Sequence, residues 1–434
     1  MTTATNLSAP RSVIRELAAT ESFFLLGDGM YVGYGVRAEG PLDLDALRGA
    51  AARLVDAHPA LRARIAADAP ADSAPGGALA GGTFVAGDER NVIAVTESAG
   101  PTDGTAPLPD LDLAQGSALA GVHVVTDPDG GRLVHLLVHH ALADGHHALA
   151  LLQSLWRAYT AIVTGADDPL DARTDFPKPL EQFLTERGYP TAAEEPIEAP
   201  PLPPLPEGVP AAAPAPADAP ALHRIQLSRE ESAALIAYGH RTGRTVNQLV
   251  SAAFVAATAA ARGLGLTGVV YGYPVDLRRR LGDPAADFTE ITNALGMAFF
   301  QADADEAGLD ELAAQVGDGL ARDLAAGTVQ RPMSVGAAMA PPADGAVAIL
   351  TNWGPVPHLP TPPGLTLTDF HPALHLAGGA PSDTAMWDAV AATLTIGIVS
   401  SFQGRLSIDV SGATLPDSLL PETLRNLRAF TLDE

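Results

Sequence analysis

The sequence predicts a mixed α/β protein of two halves, each with helices packed on a largely antiparallel or mixed sheet. Three observations predict it. The chain is 434 residues long, which at roughly 100–200 residues per domain is enough for two or three full cores. A proline-rich stretch from Glu194 to Pro220 runs through Pro200-Pro201-Leu202-Pro203-Pro204-Leu205-Pro206. Proline removes ladder donors and favours polyproline II, so this stretch is read as a linker crossing between the halves. On either side of it, β-type and amphipathic helical runs alternate too irregularly for a doubly wound sheet. The expected division is residues 1–190, a linker over 191–221, and residues 222–434.

In the first half, Leu42 to Ala57 places Leu42, Ala46, Leu47, Ala50, Leu54 and Val55 at helical spacing, and His58-Pro59 stops the helix. Asp68 to Gly82, rich in Ala, Pro, Asp and Gly, is read as a surface excursion. Arg132 to His140 is a short β-type run. After a turn, His146 to Thr164 is amphipathic, with Leu149, Leu152, Leu155, Trp156, Tyr159 and Val163 as its apolar members. Past the linker, His223 to Leu227 is a predicted strand, and Ser228-x-x-Glu231 and Thr245-x-x-Gln248 are capping boxes that open helices. Val269 to Val275, Val347 to Thr351 and Ala392 to Ser400 are predicted strands, and Gln403-Gly404 turns the last into Arg405 to Val410. The most apolar helical run, Thr245 to Ala261, contains Asn247, Gln248 and Ser251 and is read as a buried helix, not a membrane span.

Composition removes several function classes. With 51 acidic against 26 basic residues the net charge is −25, and such a surface repels a phosphate backbone, so nucleic acid is not an expected partner. The absence of cysteine excludes disulfides, thiolate zinc sites and a cysteinyl intermediate. The stretch Met1 to Thr20 carries Arg11, Arg15 and Glu16 and lacks a signal-type apolar run, so a cytoplasmic location is expected. Two halves in one chain make a monomer the expected state.

Five of the twelve histidines fall between His135 and His147. In Val138-His139-His140-Ala141-Leu142-Ala143-Asp144-Gly145-His146-His147, a strand delivers two adjacent imidazoles to opposite faces, one for the core and one for a cleft. Asp144 can cap the following helix, and Gly145 is expected to supply a positive φ at the break. Imidazoles on opposite strand faces do not converge on a metal, and no carboxylate-rich ligand spacing accompanies them, so no metal is expected. His135 is read as core or sheet surface, and His146 and His147 as solvated first-turn residues, one of which could line a pocket.

His140 is the candidate general base, since imidazole titrates near neutral pH. With no GxSxG elbow and no cysteine, no covalent intermediate on a serine or cysteine is expected. His139 is read as a buried support for the loop.

The run His139-His140-Ala141-Leu142-Ala143-Asp144-Gly145 resembles the HHxxxDG signature of the CoA- or carrier-protein-dependent acyltransferases, a superfamily that includes condensation domains and polyketide-associated acyltransferases. Tyr273-Pro274-Val275-Asp276-Leu277-Arg278 resembles its PVDLR segment and Thr351-Asn352-Trp353-Gly354 its SNxG-type segment, with Thr292-Asn293-Ala294-Leu295-Gly296 between them. A DFGWG segment, as in plant members, is absent. The resemblance implies a free-standing enzyme of two chloramphenicol-acetyltransferase-like halves with a tunnel at their junction and His140 at its centre. It also implies that Asp144 turns away from the base and pairs with Arg278. Asn352 and Trp353 are candidates for the cleft or oxyanion, and Arg279 and Arg280 for docking CoA phosphates or an acidic carrier protein. The implied co-substrate is acyl-CoA or a phosphopantetheinyl carrier protein, with no bound cofactor. The implied acceptor is a small-molecule or lipid alcohol in lipid or polyketide assembly. An amide-forming condensation enzyme and a non-catalytic docking module are the alternatives.

Overall fold

The structure, a computed structural model, describes residues 12–25, 29–67, 81–87, 93–104, 108, 111, 113–167, 170–189, 222–282, 285–331, 345–377, 394–412 and 415–431. The proline-rich stretch lies outside the described residues, as does nearly all of the expected excursion at 68–82.

The first half supplies β1 (Val13–Glu16), α1 (Ala19–Ser22), β2 (Gly29–Glu39), α2 (Leu44–Ala57), β3 (Arg64–Ala67), β4 (Gly82–Val85), β5 (Ala94–Ala99), β6 (Ala120–Thr126), β7 (Arg132–His139), α3 (Gly145–Thr164) and α4 (Leu180–Glu186). The second supplies β8 (His223–Gln226), α5 (Arg229–Thr242), α6 (Val246–Arg262), β9 (Val269–Asp276), β10 (Leu295–Phe300), α7 (Leu309–Ala325), β11 (Ala346–Pro355), β12 (Thr366–Ala377), β13 (Leu394–Phe402), β14 (Arg405–Ser411) and α8 (Leu419–Ala429).

Capping residues start the helices where the sequence places them. Asp43 accepts the Asp45 and Ala46 N–H groups at the head of α2, and its buried stripe of Ala46, Leu47, Ala50, Leu54 and Val55 faces the first core. Both capping boxes form, at Ser228 and Glu231 and at Thr245 and Gln248. Against α2 and α3 lies a five-stranded sheet of order β12-β2-β7-β6-β5, antiparallel except for the β5–β6 pair. The second half builds a six-stranded sheet, β10-β9-β11-β13-β14-β8, in which β11 runs parallel to both neighbours. A small sheet, β1-β4-β3, completes the set.

The halves exchange material. Strand β12 comes from the second half but pairs with β2 of the first, from Thr366 against Glu39 to Ala377 against Gly29, with one register shift between Leu367 and Asp369. It forms the sheet edge, which is why Pro372 is tolerated in it. Phe370 of β12 and Phe402 of β13 enter the first core, while Leu180, Phe183 and Leu184 of α4 enter the second. Among the described residues no helix is long and apolar enough to cross a membrane.

Candidate active site

Strand β7 ends at His139, and the chain turns through His140 to Ala143 before Asp144 caps α3 by accepting the His147 N–H at 2.9 Å. The two motif imidazoles part as the strand pleat requires. His139 is fully buried, edge-on to Tyr31 with ring centroids 5.0 Å apart, and its Nδ1 accepts the Ala141 N–H at 3.1 Å. That bond leaves its proton on Nε2. Burial first, then the neighbouring His140, push its pKa down to about 3, so the ring is neutral.

His140 is half-buried at the seam between the halves. Asn293 fixes its tautomer: the Asn293 Nδ2 donates to the carbonyls of His140 (2.7 Å) and Ala141 (3.3 Å), which turns Oδ1 toward the His140 Nδ1 at 3.1 Å. An amide oxygen only accepts, so Nδ1 carries the proton and Nε2 the lone pair. Phe24 stacks flat on the ring at 3.8 Å and 3°. Burial holds the His140 pKa below its ordinary value, against the opposing pull of a backbone hydrogen bond, Asp144 and Asn293. At neutral pH the group is an uncharged acceptor.

Asp144 is not aimed at that imidazole. One oxygen caps α3, and the other accepts from Arg278 Nη1 at 2.8 Å and from the Ala294 N–H at 2.9 Å, with both charged side chains fully excluded from solvent. Burial would raise the Asp144 pKa, but Arg278, His146 and these hydrogen bonds outweigh it and bring it down to about 2. Arg278 also donates to Asp276 and to the carbonyls of Phe288 and Ile291.

Gly145 departs from its expected role. It is the first residue of α3 and is not among the glycines of positive φ. What requires glycine is a close approach, since a Cβ there would lie 2.7 Å from Nε1 of Trp353. Trp353 also meets Tyr34 edge-on at 4.7 Å, and Tyr34 donates its hydroxyl to the Gly145 carbonyl. The solvated reading of His147 is likewise corrected. The α3 helix turns it inward, where it is buried, reaches the Ile291 carbonyl at 3.1 Å and has a pKa lowered to about 4, chiefly by burial. His135 is buried in the sheet.

A cavity of about 970 Å³ lies at the junction, walled by His146 and Leu149 of α3 and by residues of the second half. Trp353, Asn352, Arg279 and Arg280 lie on its wall. His140 is not among the residues that line it; Trp353 packs against Gly145 and Phe24 covers one face of the imidazole. Asn352 donates to Asn247 Oδ1 at 3.2 Å and accepts the Gly354 N–H at 2.8 Å, closing the turn of its segment. Of the three consecutive arginines Arg278 is buried, whereas Arg279 and Arg280 are exposed. Among the described residues no three His, Asp or Glu side chains gather to hold a metal. Sequence reasoning assigned no role to Asn293 or Phe24. Asn293 stood in a recognised segment, so a polar side chain there was the available signal.

A two-lobed fold with HHxxxDG at a strand-to-helix junction and an Asp–Arg pair across the seam defines a condensation-like acyltransferase. The family described as phthiocerol/phthiodiolone dimycocerosyl transferase C-terminus matches residues 216–411. A phthiocerol/phthiodiolone dimycocerosyl transferase of Mycobacterium leprae is 30% identical over 86% of this chain and 88% of its own. The structure of polyketide synthase associated protein 5 from Mycobacterium tuberculosis superposes with a TM-score of 0.74 at 26% identity, covering 98% of this chain and 100% of that one. The first condensation domain of the CDA synthetase shares the fold at a TM-score of 0.59 and 16% identity, over 97% and 96% of the two chains. The chain belongs to the phthiocerol/phthiodiolone dimycocerosyl transferase family and is an ester-forming acyltransferase.

Proposed function

We propose that this enzyme transfers an acyl group from a CoA or phosphopantetheinyl carrier-protein thioester to the hydroxyl of a lipid-like alcohol, with His140 as general base. The observation that carries the reading is the Asn293 contact, which leaves the Nε2 lone pair free for a proton. As the acceptor oxygen attacks the thioester carbonyl, its proton passes to Nε2. The tetrahedral intermediate then collapses, the C–S bond breaks, and the imidazolium returns the proton to the departing thiolate. General-base help of this kind is worth about 10²–10⁴-fold. Asp144 and Arg278 hold the loop that carries the base and do not touch substrate. Arg279 and Arg280, exposed on the cavity wall in an acidic protein, suit the donor's phosphates or an acidic carrier. The names of the relatives favour a mycocerosyl-type acyl group and an acceptor of the phthiocerol or phthiodiolone kind. Residues 1–190 and 222–434 are the two lobes of this reading.

The test is mass spectrometry of products from a panel of acyl-CoA donors with mixed alcohols and amines, comparing wild type with His140→Ala. Ester from wild type alone, with the variant down by at least about 10²-fold and its Tm retained, supports the reading. Amide alone makes the enzyme a condensation catalyst. Equal turnover by His140→Ala removes the base assignment. If no CoA donor reacts, acylated carrier protein in the same assay separates a carrier-only donor from a docking module.

A further inference from the structure

Glu21 is completely buried, and the proposed chemistry does not use it. A carboxylate out of water persists only when paired and hydrogen-bonded. It accepts a fork of two bonds from Arg15, both 2.7 Å, and the Ala18 N–H at 2.9 Å. Its remaining partner comes from the other half of the molecule: the Thr292 hydroxyl, 2.6 Å from Oε1.

Among the described residues, the ring that stacks on His140 and the amide that hydrogen-bonds its Nδ1 are both tied to this carboxylate's residue. Phe24, stacked on the imidazole, donates its backbone N–H to the Glu21 carbonyl at 3.1 Å. Asn293, which holds Nδ1, follows Thr292 directly in the chain. Thr292 is pinned by its N–H to the Lys178 carbonyl, by its own carbonyl to the Asp144 N–H, both 2.9 Å, and by its hydroxyl, which donates chiefly to Glu21 at 2.6 Å with the Lys178 carbonyl a longer second acceptor at 3.3 Å. We propose that Glu21, acting through Thr292 and Phe24, is a positioning residue that fixes the orientation of the His140 imidazole across the seam. The inference rests on the reading of His140 as the base and deepens it. A catalytic group must be held to about 0.5 Å and 10–20°, which a ring with one hydrogen bond and one stacked face reaches only if both neighbours are themselves fixed.

Glu21→Ala would strand the Arg15 guanidinium beside a void, so the variant to use is Thr292→Val. It keeps the shape, deletes the hydroxyl and leaves Glu21 paired with Arg15. With acyl transfer as the readout, kcat falls on the order of tenfold, since misplacement by about 1 Å can cost up to 10²-fold, while KM is unchanged. The acidic limb of the kcat/KM profile moves to lower pH, because a misaligned Asn293 Oδ1 no longer favours the protonated ring. Thr292→Ser restores the hydroxyl and reverses both effects. Wild-type kcat and an unmoved limb in Thr292→Val, whatever its Tm, overturn the proposal.

A second readout needs no transfer activity: carbethoxylation of His140 followed by peptide mass spectrometry, with exposed His240 in the same sample as reference. A neutral ring freed from its support reacts faster in Thr292→Val, by at least about threefold relative to His240. An unchanged ratio overturns the positioning role. A raised ratio in a protein that transfers no acyl group supports the positioning role while removing the proposed function.

Discussion

Two of the contacts between the halves differ in their physics. At the active-site seam, beside backbone bonds of Lys178, Thr292 and Asp144, the contact is rich in specific side-chain pairs: Asp144 with Arg278, His140 with Asn293, and Glu21 with Thr292. At the crossing strand β12 the joint is mainly a backbone ladder against β2, clasped at one end where Arg224 of β8 reaches Asp409 of β14 at 2.8 Å and Asp369 of β12 at 3.2 Å. A side-chain joint depends on particular residues at particular spacings. A ladder asks only for an extended chain and an open sheet edge, and many sequences supply those. The seam can therefore place a catalytic group to a fraction of an ångström, whereas the strand merely keeps the halves from parting.

The largest expected effect breaks the first joint. Arg278→Ala leaves the Asp144 carboxylate buried without its cation, which costs about 3–5 kcal/mol of the roughly 5–15 kcal/mol by which a domain is stable. Urea unfolding should show a lowered midpoint with an unchanged slope. Asp144→Ala should cost a similar amount and also remove the cap of α3. If both variants unfold at the wild-type midpoint, the pair is not what holds the seam.

Acid should strain both joints, because buried imidazoles lie under the crossing strand and also at the seam, where His139 and His147 are brought down to about 3 and about 4. His371 on β12, Gly35 on β2, His135 on β7 and His123 on β6 form one row across four strands. Gly35 is what lets the row close, since a Cβ there would sit 2.5 Å from the His135 ring. Burial is the first cause of depression in each ring, bringing His135 to about 3, His371 to about 4 and His123 below its ordinary value. A histidine whose folded pKa is lowered binds fewer protons folded than unfolded, so the stability it lends is complete above about 6.5 and drains away as pH falls toward 3–4. Asp144, at about 2, keeps its contribution until pH drops below its unfolded value. Tm should thus fall steeply between pH 6.5 and 4, with hydrogen exchange rising in β12 and β2 and at the seam around His139 and His147 alike. A Tm that stays flat over this range would show that these imidazoles take up no protons on unfolding.

Legibility in the sequence follows the same divide. The strand, turn and cap around His139 to Gly145 are local, and α2, α3, α5 and α6 begin within two residues of the positions their spacing and caps predict. The Asp144–Arg278 contact was reachable only through the family resemblance, since 134 residues separate the partners. Strand β12 gave no signal: Pro372, His371 and His375 interrupt its apolar pattern, and a strand that borrows its pairing from the other half carries no local mark of it. Gly145 was legible as a necessary glycine but not for its reason, because Trp353 arrives from 208 positions away in the chain. Asn293 was visible as a segment and not as a contact for the same reason.

The smallest expected effect concerns charges that belong to neither joint. In Arg278-Arg279-Arg280 one guanidinium is fully buried and the next two face the cavity and solvent, so a single charge run serves two ends. Exposed cations gain little from any one contact and are screened by salt within about 8 Å at physiological ionic strength. Arg279→Ala or Arg280→Ala should leave Tm and kcat unchanged and raise KM for a CoA or carrier-protein donor by about threefold to tenfold, in line with roughly 1 kcal/mol for a screened charge contact. That rise should shrink as salt is added, because the wild type loses the same attraction to screening. A KM that rises equally for an uncharged acyl thioester would place these arginines in packing rather than in donor binding, and selectivity would then rest with the other residues of the cavity wall.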